Sequence, residues 1–166
     1  MFFYHPYRYV NHPNFYGVIQ NDQNVYLERN NGGKCQQIFN AILDAIKGEA
    51  AAIDFYTRLV QFAPNKKHRE DILHALEDEK IHLKEFTKLY TDLTGKKPIY
   101  QVKKNTFQSY EEGLRKAYED ELEAYEDYRD SYLLTQNPPV RDVFLRAFTD
   151  EIEHATRFGF LILGLY

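Results

Sequence analysis

Apolar residues recur at intervals of three and four along four stretches of the 166-residue chain, the period of a helix with one buried face. Ile38, Ile42, Ala45, Ile46, Ala52, Ile53, Tyr56, Leu59 and Val60 predict a first helix over about 35–63, ended by Pro64-Asn65. Ile72, Leu73, Leu76, Leu83, Phe86, Leu89, Tyr90 and Leu93 predict a second over about 66–94, with Gly95 as its C-terminal stop. Tyr110, Leu114, Ala117, Tyr118, Ala124, Tyr125, Tyr128 and Tyr132 predict a third. It is expected to start near Thr106 or Ser109, where Ser109-Tyr110-Glu111-Glu112 reads as a capping box. After the break at Asn137-Pro138-Pro139, the stripe Val143, Phe144, Ala147, Phe148, Ala155, Phe158, Leu161 and Ile162 predicts a fourth helix over about 139–163.

Four long helices with short turns after the first and third, and a long link over 95–106, predict an all-α fold. Its architecture is an antiparallel four-helix bundle with one crossover. The bundle is expected over 35–166. Residues 1–34 keep no helical or strand period and are rich in Asn, Tyr and Pro, closing on Asn30-Asn31-Gly32-Gly33. Their aromatic content predicts an extended N-terminal arm laid across the bundle or a partner subunit, with a disordered segment as the alternative.

Each stripe is interrupted by acids and histidines near its middle. Glu49 interrupts the first, Glu79 and His82 the second, Glu121 the third, and Glu151 and His154 the fourth. Asp78-Glu79-Lys80-Ile81-His82 and Asp150-Glu151-Ile152-Glu153-His154 share the pattern Asp-Glu-x-x-His. Residues three apart lie on one helix face, so each Glu-His pair can aim an oxygen and a nitrogen at one point. A single E-x-x-H match is weak, since roughly half a match arises by chance from this composition. Here the match is embedded in a repeat: segments 45–86 and 117–158 superpose at a constant offset of 72 without a gap. Glu49/Glu121, Tyr56/Tyr128, Asn65/Asn137, Asp78/Asp150, Glu79/Glu151 and His82/His154 are among the identities.

Four carboxylates facing one core repel each other and resist burial unless cations accompany them. No Lys or Arg occupies the stripes at that level. Two divalent ions supply the missing charge, with Glu79 and Glu151 bridging, Glu49 and Glu121 each holding one ion, and His82 and His154 each capping one. Asp71-x-x-His74 repeats the spacing on the second helix but has no counterpart on the fourth, where Arg146 matches His74, and it reads as surface. His5, His12 and His68 read as isolated, solvated side chains.

Composition narrows the function. The net charge of −4 argues against a nucleic-acid groove, and the single cysteine, Cys35, excludes an internal disulfide framework and a four-cysteine metal site. The N-terminus lacks the basic and apolar regions of a secretory signal, and the longest apolar run is too short to span a bilayer. The expectation is a cytoplasmic protein with neither nucleic acid nor membrane as partner.

On Glu49, Asp78-Glu79-x-x-His82, Glu121 and Asp150-Glu151-x-x-His154, the chain resembles a ferritin-like protein of the rubrerythrin type over about residues 36–163. The resemblance implies two metal ions, iron first and manganese as the alternative, that react with peroxide or dioxygen. The activity implied is that of a peroxidase or ferroxidase. It implies that Tyr56 and Tyr128 hydrogen-bond to ligand carboxylates, which makes them the candidate catalytic residues beyond the ligands. Asp78 and Asp150 would orient the ligand histidines. It also implies a homodimer. Rubrerythrins carry a further glutamate three residues after the third-helix ligand; here Ala124 stands there, while Glu123 points about 100° away. Full-length rubrerythrins end in a four-cysteine rubredoxin domain, whereas this sequence ends at Tyr166, so electrons are expected from another protein. The symmetric six-ligand set is also similar to that of bacterioferritin and manganese catalase. A structural rival keeps the metals without turnover: the Tyr-, Asn-, His- and Pro-rich arm resembles the composition of spore-coat-associated proteins.

Overall fold

The computed structural model describes residues 32–164, and the arm, with His5 and His12, lies outside them but for its last three residues. Four helices account for most of the described chain: α1 (Gly32–Leu59), α2 (Lys66–Thr94), α3 (Tyr110–Leu134) and α4 (Pro138–Leu163). Helix α1 starts at Gly32, before the expected Cys35, so Gly32 and Gly33 lie in a helical first turn rather than a closing turn. Its other end tightens into a 3₁₀ turn over Val60–Phe62 before Pro64.

Local chemistry sets the remaining ends. The Asn65 side chain accepts from the His68 amide at the start of α2, and Asn137, its counterpart 72 residues on, accepts from the Val140 amide at the start of α4. Ser109 accepts from the Glu112 amide, and Glu112 reaches back to the Gln108 amide. Gly95 ends α2 at φ 69°, a left-handed backbone that a side chain disfavours.

Two apolar clusters show how the helices run. One joins the C-terminal part of α1 (Tyr56, Leu59) and of α4 (Phe158, Leu161) to the N-terminal part of α2 (Ile72, Leu76) and of α3 (Leu114, Ala117). The other joins the opposite ends: Ile42 and Ile46 of α1, Phe86 and Leu89 of α2, Tyr128 of α3, Val140 and Phe144 of α4. Helices α1 and α4 therefore run one way, and α2 and α3 the other. The link from α2 to α3 must return along the bundle. Its 15 residues, 95–109, reach about 50 Å when extended, against about 37 Å for a helix the length of α3. Tyr100 packs on one cluster and Phe107 on the other, so the link covers that distance.

The landing of this crossover is tight. A Cβ on Gly113 would lie 2.6 Å from Leu59 Cδ1 and 3.1 Å from Phe107 Cγ. Glycine to alanine in a helix interior ordinarily stabilises by up to about 1 kcal/mol. Here the clash reverses the sign: Gly113→Ala is expected to destabilise by about 1–2 kcal/mol, read from the urea unfolding midpoint.

Candidate metal centre

Between the two apolar clusters lies a polar layer drawn from all four helices. Glu49, Glu79, His82, Glu121, Glu151 and His154 are each at most 3% exposed. They form two overlapping groups. Glu49, Glu79, His82 and Glu151 offer ligand atoms within 4.8 Å of one another, and so do Glu79, Glu121, Glu151 and His154. Glu79 and Glu151 belong to both. The offset-72 repeat thus appears in space as a pseudo-two-fold, with the two E-x-x-H glutamates shared and one outer glutamate and one histidine on each side.

The supporting bonds cross between repeats. His82 of α2 turns Nε2 to Asp150 of α4 at 3.1 Å, and His154 of α4 turns Nε2 to Asp78 of α2 at 3.2 Å. Each Nδ1 is left facing the carboxylates, at 3.1 Å from Glu79 Oε2 for His82 and 3.1 Å from Glu151 Oε2 for His154. On the other side, Tyr56 of α1 donates to Glu121 of α3 at 2.5 Å, and Tyr128 of α3 donates to Glu49 of α1 at 2.7 Å. Histidine–aspartate pairs therefore tie α2 to α4, and tyrosine–glutamate pairs tie α1 to α3. An aspartate that accepts from one ring nitrogen fixes the ring and leaves the other nitrogen for a ligand.

The electrostatics are those of a site built for added positive charge. Burial, then the charges of Glu79 and Glu151, push the Glu49 and Glu121 carboxyls well above the usual range. Burial opposes ionisation of Glu79, but the neighbouring His154 and His82 rings outweigh it and hold its carboxyl down at about 2. For His82 burial favours the neutral ring, yet Asp150, Glu151 and Glu79 overcome it and raise the pKa far above its ordinary value. His154 is raised in the same sense by Glu121, Glu151 and Glu79 against its burial. Burial, then the neighbouring Glu121 or Glu49, raises Tyr56 and Tyr128 well above 10, so both phenols keep their protons.

Two atoms remain unsatisfied. Glu79 Oε1 and Glu151 Oε1 are buried without a hydrogen-bond partner. They lie 3.2 Å from His154 Nδ1 and 3.3 Å from His82 Nδ1, but each Nδ1 already points at the other carboxylate. A buried carboxylate oxygen left unbonded costs several kcal/mol unless a cation reaches it. These are the two shared glutamates, so the unsatisfied oxygens sit where a bridging ligand is called for. The donor set of four carboxylates and two imidazoles fits two divalent ions in charge and in ligand type.

Two polar residues, His68 and Asp71, sit differently from the expectation drawn from sequence. His68 is buried, not solvated, with Nδ1 2.7 Å from the Tyr110 hydroxyl, because the first turns of α2 and α3 meet at the same bundle end. Burial lowers its pKa. Asp71 is 3% exposed rather than surface, held by Lys67 at 2.8 Å and Arg157 of α4 at 3.0 Å. His74 is exposed, as expected, and it extends the polar layer outward: its Nε2 lies 3.2 Å from Asp78 and 3.4 Å from Glu153. The Asp71-x-x-His74 spacing is the available signal for both. Its missing counterpart on the fourth helix hides them, since Arg146 at the position matching His74 turns instead to Glu85 at 2.6 Å.

The fold and this layer define a ferritin-like four-helix bundle with a buried carboxylate and histidine cluster compatible with a pair of metal ions. Residues 40–162 match the family model for rubrerythrin, and the chain belongs to that family. It is 34% identical over 119 residues to the uncharacterized protein YhjR of Bacillus subtilis (strain 168), covering 72% of this chain and 82% of that one. Among solved structures it is similar to a hypothetical protein from Pyrococcus furiosus, with a TM-score of 0.68 and 20% identity over 75% of this chain and 87% of the other. A conserved hypothetical protein from Mycobacterium tuberculosis gives a TM-score of 0.67 and 19% identity over 78% and 92% of the two chains. The match also extends to an Anabaena variabilis protein with DJ-1/ThiJ/PfpI-like and ferritin-like domains, with a TM-score of 0.65 and 15% identity. It covers 76% of this chain but spans only 36% of that two-domain chain. At these identities the structures speak for the fold alone. None of the described helices is long and apolar enough to cross a membrane.

Proposed function

We propose that the chain is a non-haem di-metal protein, di-iron or mixed iron–manganese, that reacts with peroxide or dioxygen as a rubrerythrin-like peroxidase or ferroxidase. The observation that carries this reading is the pair of unsatisfied buried oxygens on the two shared glutamates, inside a fully buried layer of four carboxyl groups and two imidazoles. Glu79 and Glu151 would bridge the ions, Glu49 with His82 would complete one position, and Glu121 with His154 the other. When bound, such a pair supplies two one-electron steps at adjacent centres and open positions for a small oxidant.

The chain's own groups do the rest. Asp150 and Asp78 hold the Nε2 protons and keep Nδ1 of each ring on the site. Tyr56 and Tyr128 hold one oxygen of Glu121 and of Glu49, which limits how those carboxylates swing, and their retained protons lie beside the cluster. In the same reading the chain forms a homodimer and takes electrons from another protein.

The test is metal content after growth with both iron and manganese available, followed by peroxide consumption with a supplied reductant. About two ions per chain and peroxide turnover are expected. Two ions without turnover would leave a binding or structural bundle, and no ions would sink the proposal.

The raised histidines give a pH prediction with a definite sign. In the metal-free protein His82 and His154 are protonated at neutral pH, and Glu49 and Glu121 also favour their protons. Ions must displace the Nδ1 protons, so affinity falls as pH falls and rises as pH rises. Loading at pH 7 is expected to release at least two protons per chain, one from each ring, measured by comparing binding heats in buffers of different ionisation enthalpy.

A further inference from the structure

The buried layer is not closed equally on its two sides. Toward α2 and α4 the histidine–aspartate pairs seal it. Between α1 and α3 there is a cleft of about 570 Å³, whose lining includes Glu49, Glu79, Glu121 and Glu151. Its α1 wall is made largely of small residues, Ala41, Ala45, Gly48, Ala51 and Ala52. Ala124, standing where rubrerythrins carry their further glutamate, lines the α3 wall and adds no carboxylate of its own.

The charged side chains that line this cleft are all acidic. Asp120, Glu123 and Asp127 follow one another at helical spacing along α3, all exposed and all lining the cleft. None of the three makes a salt bridge within 4.0 Å among the described residues, whereas Asp44 and Asp130 at the same cleft are paired with Lys47 and Arg129. No Lys, Arg or His lines the cleft among the described residues. The repeat shows that the fold does not require these acids. The positions 72 residues earlier are Gly48, Ala51 and Phe55, which line the same cleft from α1. Inside, the cleft reaches the two glutamates whose buried Oε1 atoms lack partners.

We propose that the cleft between α1 and α3 is the entry route for divalent cations to the buried site, and that Asp120, Glu123 and Asp127 steer them into it. This rests on the di-metal reading and adds to it a route, a sign of charge and three residues. An acidic rim over low-dielectric walls concentrates cations and raises their rate of entry. A hydrated ion with six waters occupies about 180 Å³, less than the volume of the cleft. Neutral peroxide gains nothing from the same rim.

The experiment follows cobalt(II) entry by stopped-flow absorbance into metal-free full-length protein, and metal content at equilibrium. An Asp120→Asn/Glu123→Gln/Asp127→Asn variant is expected to take up cobalt about tenfold more slowly at low ionic strength. It is expected to reach the same final stoichiometry, and the gap should close as salt is raised. A variant of equal net charge, Glu70→Gln/Glu77→Gln/Asp92→Asn, neutralises exposed acids away from the cleft and is expected to keep the parent rate. Equal rates for the cleft variant and the parent, with full loading, would overturn the entry route while leaving the di-metal site standing. Equal slowing by both variants would reduce the effect to net charge and overturn it too. Failure of the parent to bind cobalt at all would instead remove the reading on which it rests.

Discussion

Glu79→Gln/Glu151→Gln is expected to abolish binding of both ions, taking metal content from about two per chain to none. Each of the two residue groups contains both glutamates, so the double change removes two anionic ligands from each position at once. The side chains keep their size, and the four-carboxylate repulsion is relieved. Against that, His82 and His154 lose charged partners at about 3.1 Å. Breaking a buried ion pair costs about 3–5 kcal/mol, and lost repulsion offsets part of it. Helical circular dichroism read alongside metal analysis separates loss of ligands from loss of fold. A folded variant that still carries two ions would show that the bridging assignment is wrong.

The second large effect tests the crossed aspartates. Asp78→Asn is expected to weaken only the ion held by Glu121 and His154, and Asp150→Asn only the ion held by Glu49 and His82. Each should lose about 10–100-fold in affinity, or about 1.4–2.7 kcal/mol. The reason is that Asp78 holds the ring of His154 on the other repeat, not the ring of His82 four residues along its own helix. Backgrounds carrying one crippled position reveal the crossing. In a Glu49→Gln background the remaining ion should respond to Asp78→Asn and not to Asp150→Asn. In a Glu121→Gln background the pattern should reverse. Responses that follow the helix of origin would contradict the geometry.

Much of this site is legible in the amino-acid sequence. An acid or histidine inside an apolar helical stripe is costly, so Glu49, Glu79, His82, Glu121, Glu151 and His154 stand out by interrupting the stripes. The repeat then rules out coincidence. Helix limits follow from Asn65, Ser109, Asn137 and Gly95, because capping is a local bond between a side chain and the nearest amides, or a local backbone conformation. The start of α1 is the exception. Gly32-Gly33 carries a turn signal, yet a first helical turn leaves its amides unbonded in any case and tolerates glycine.

His68 and Asp71 escape a sequence reading for a different reason. Their burial depends on which helix lies opposite, and one helix's period carries no record of its neighbour. Tyr110 and Arg157 are 42 and 86 residues away in the chain.

The number of helices and the identity of the six inward residues are set at the level of sequence. Each follows from hydrophobic period, local capping or the energetic cost of a buried charge. Which aspartate serves which histidine, and which tyrosine serves which glutamate, is settled only by the packing of the four helices. The same packing places the open side between α1 and α3. Those pairings arise where equivalent residues of two repeats meet across a pseudo-two-fold. Equivalence makes the repeats interchangeable in sequence, and only the arrangement of the helices in space breaks the tie.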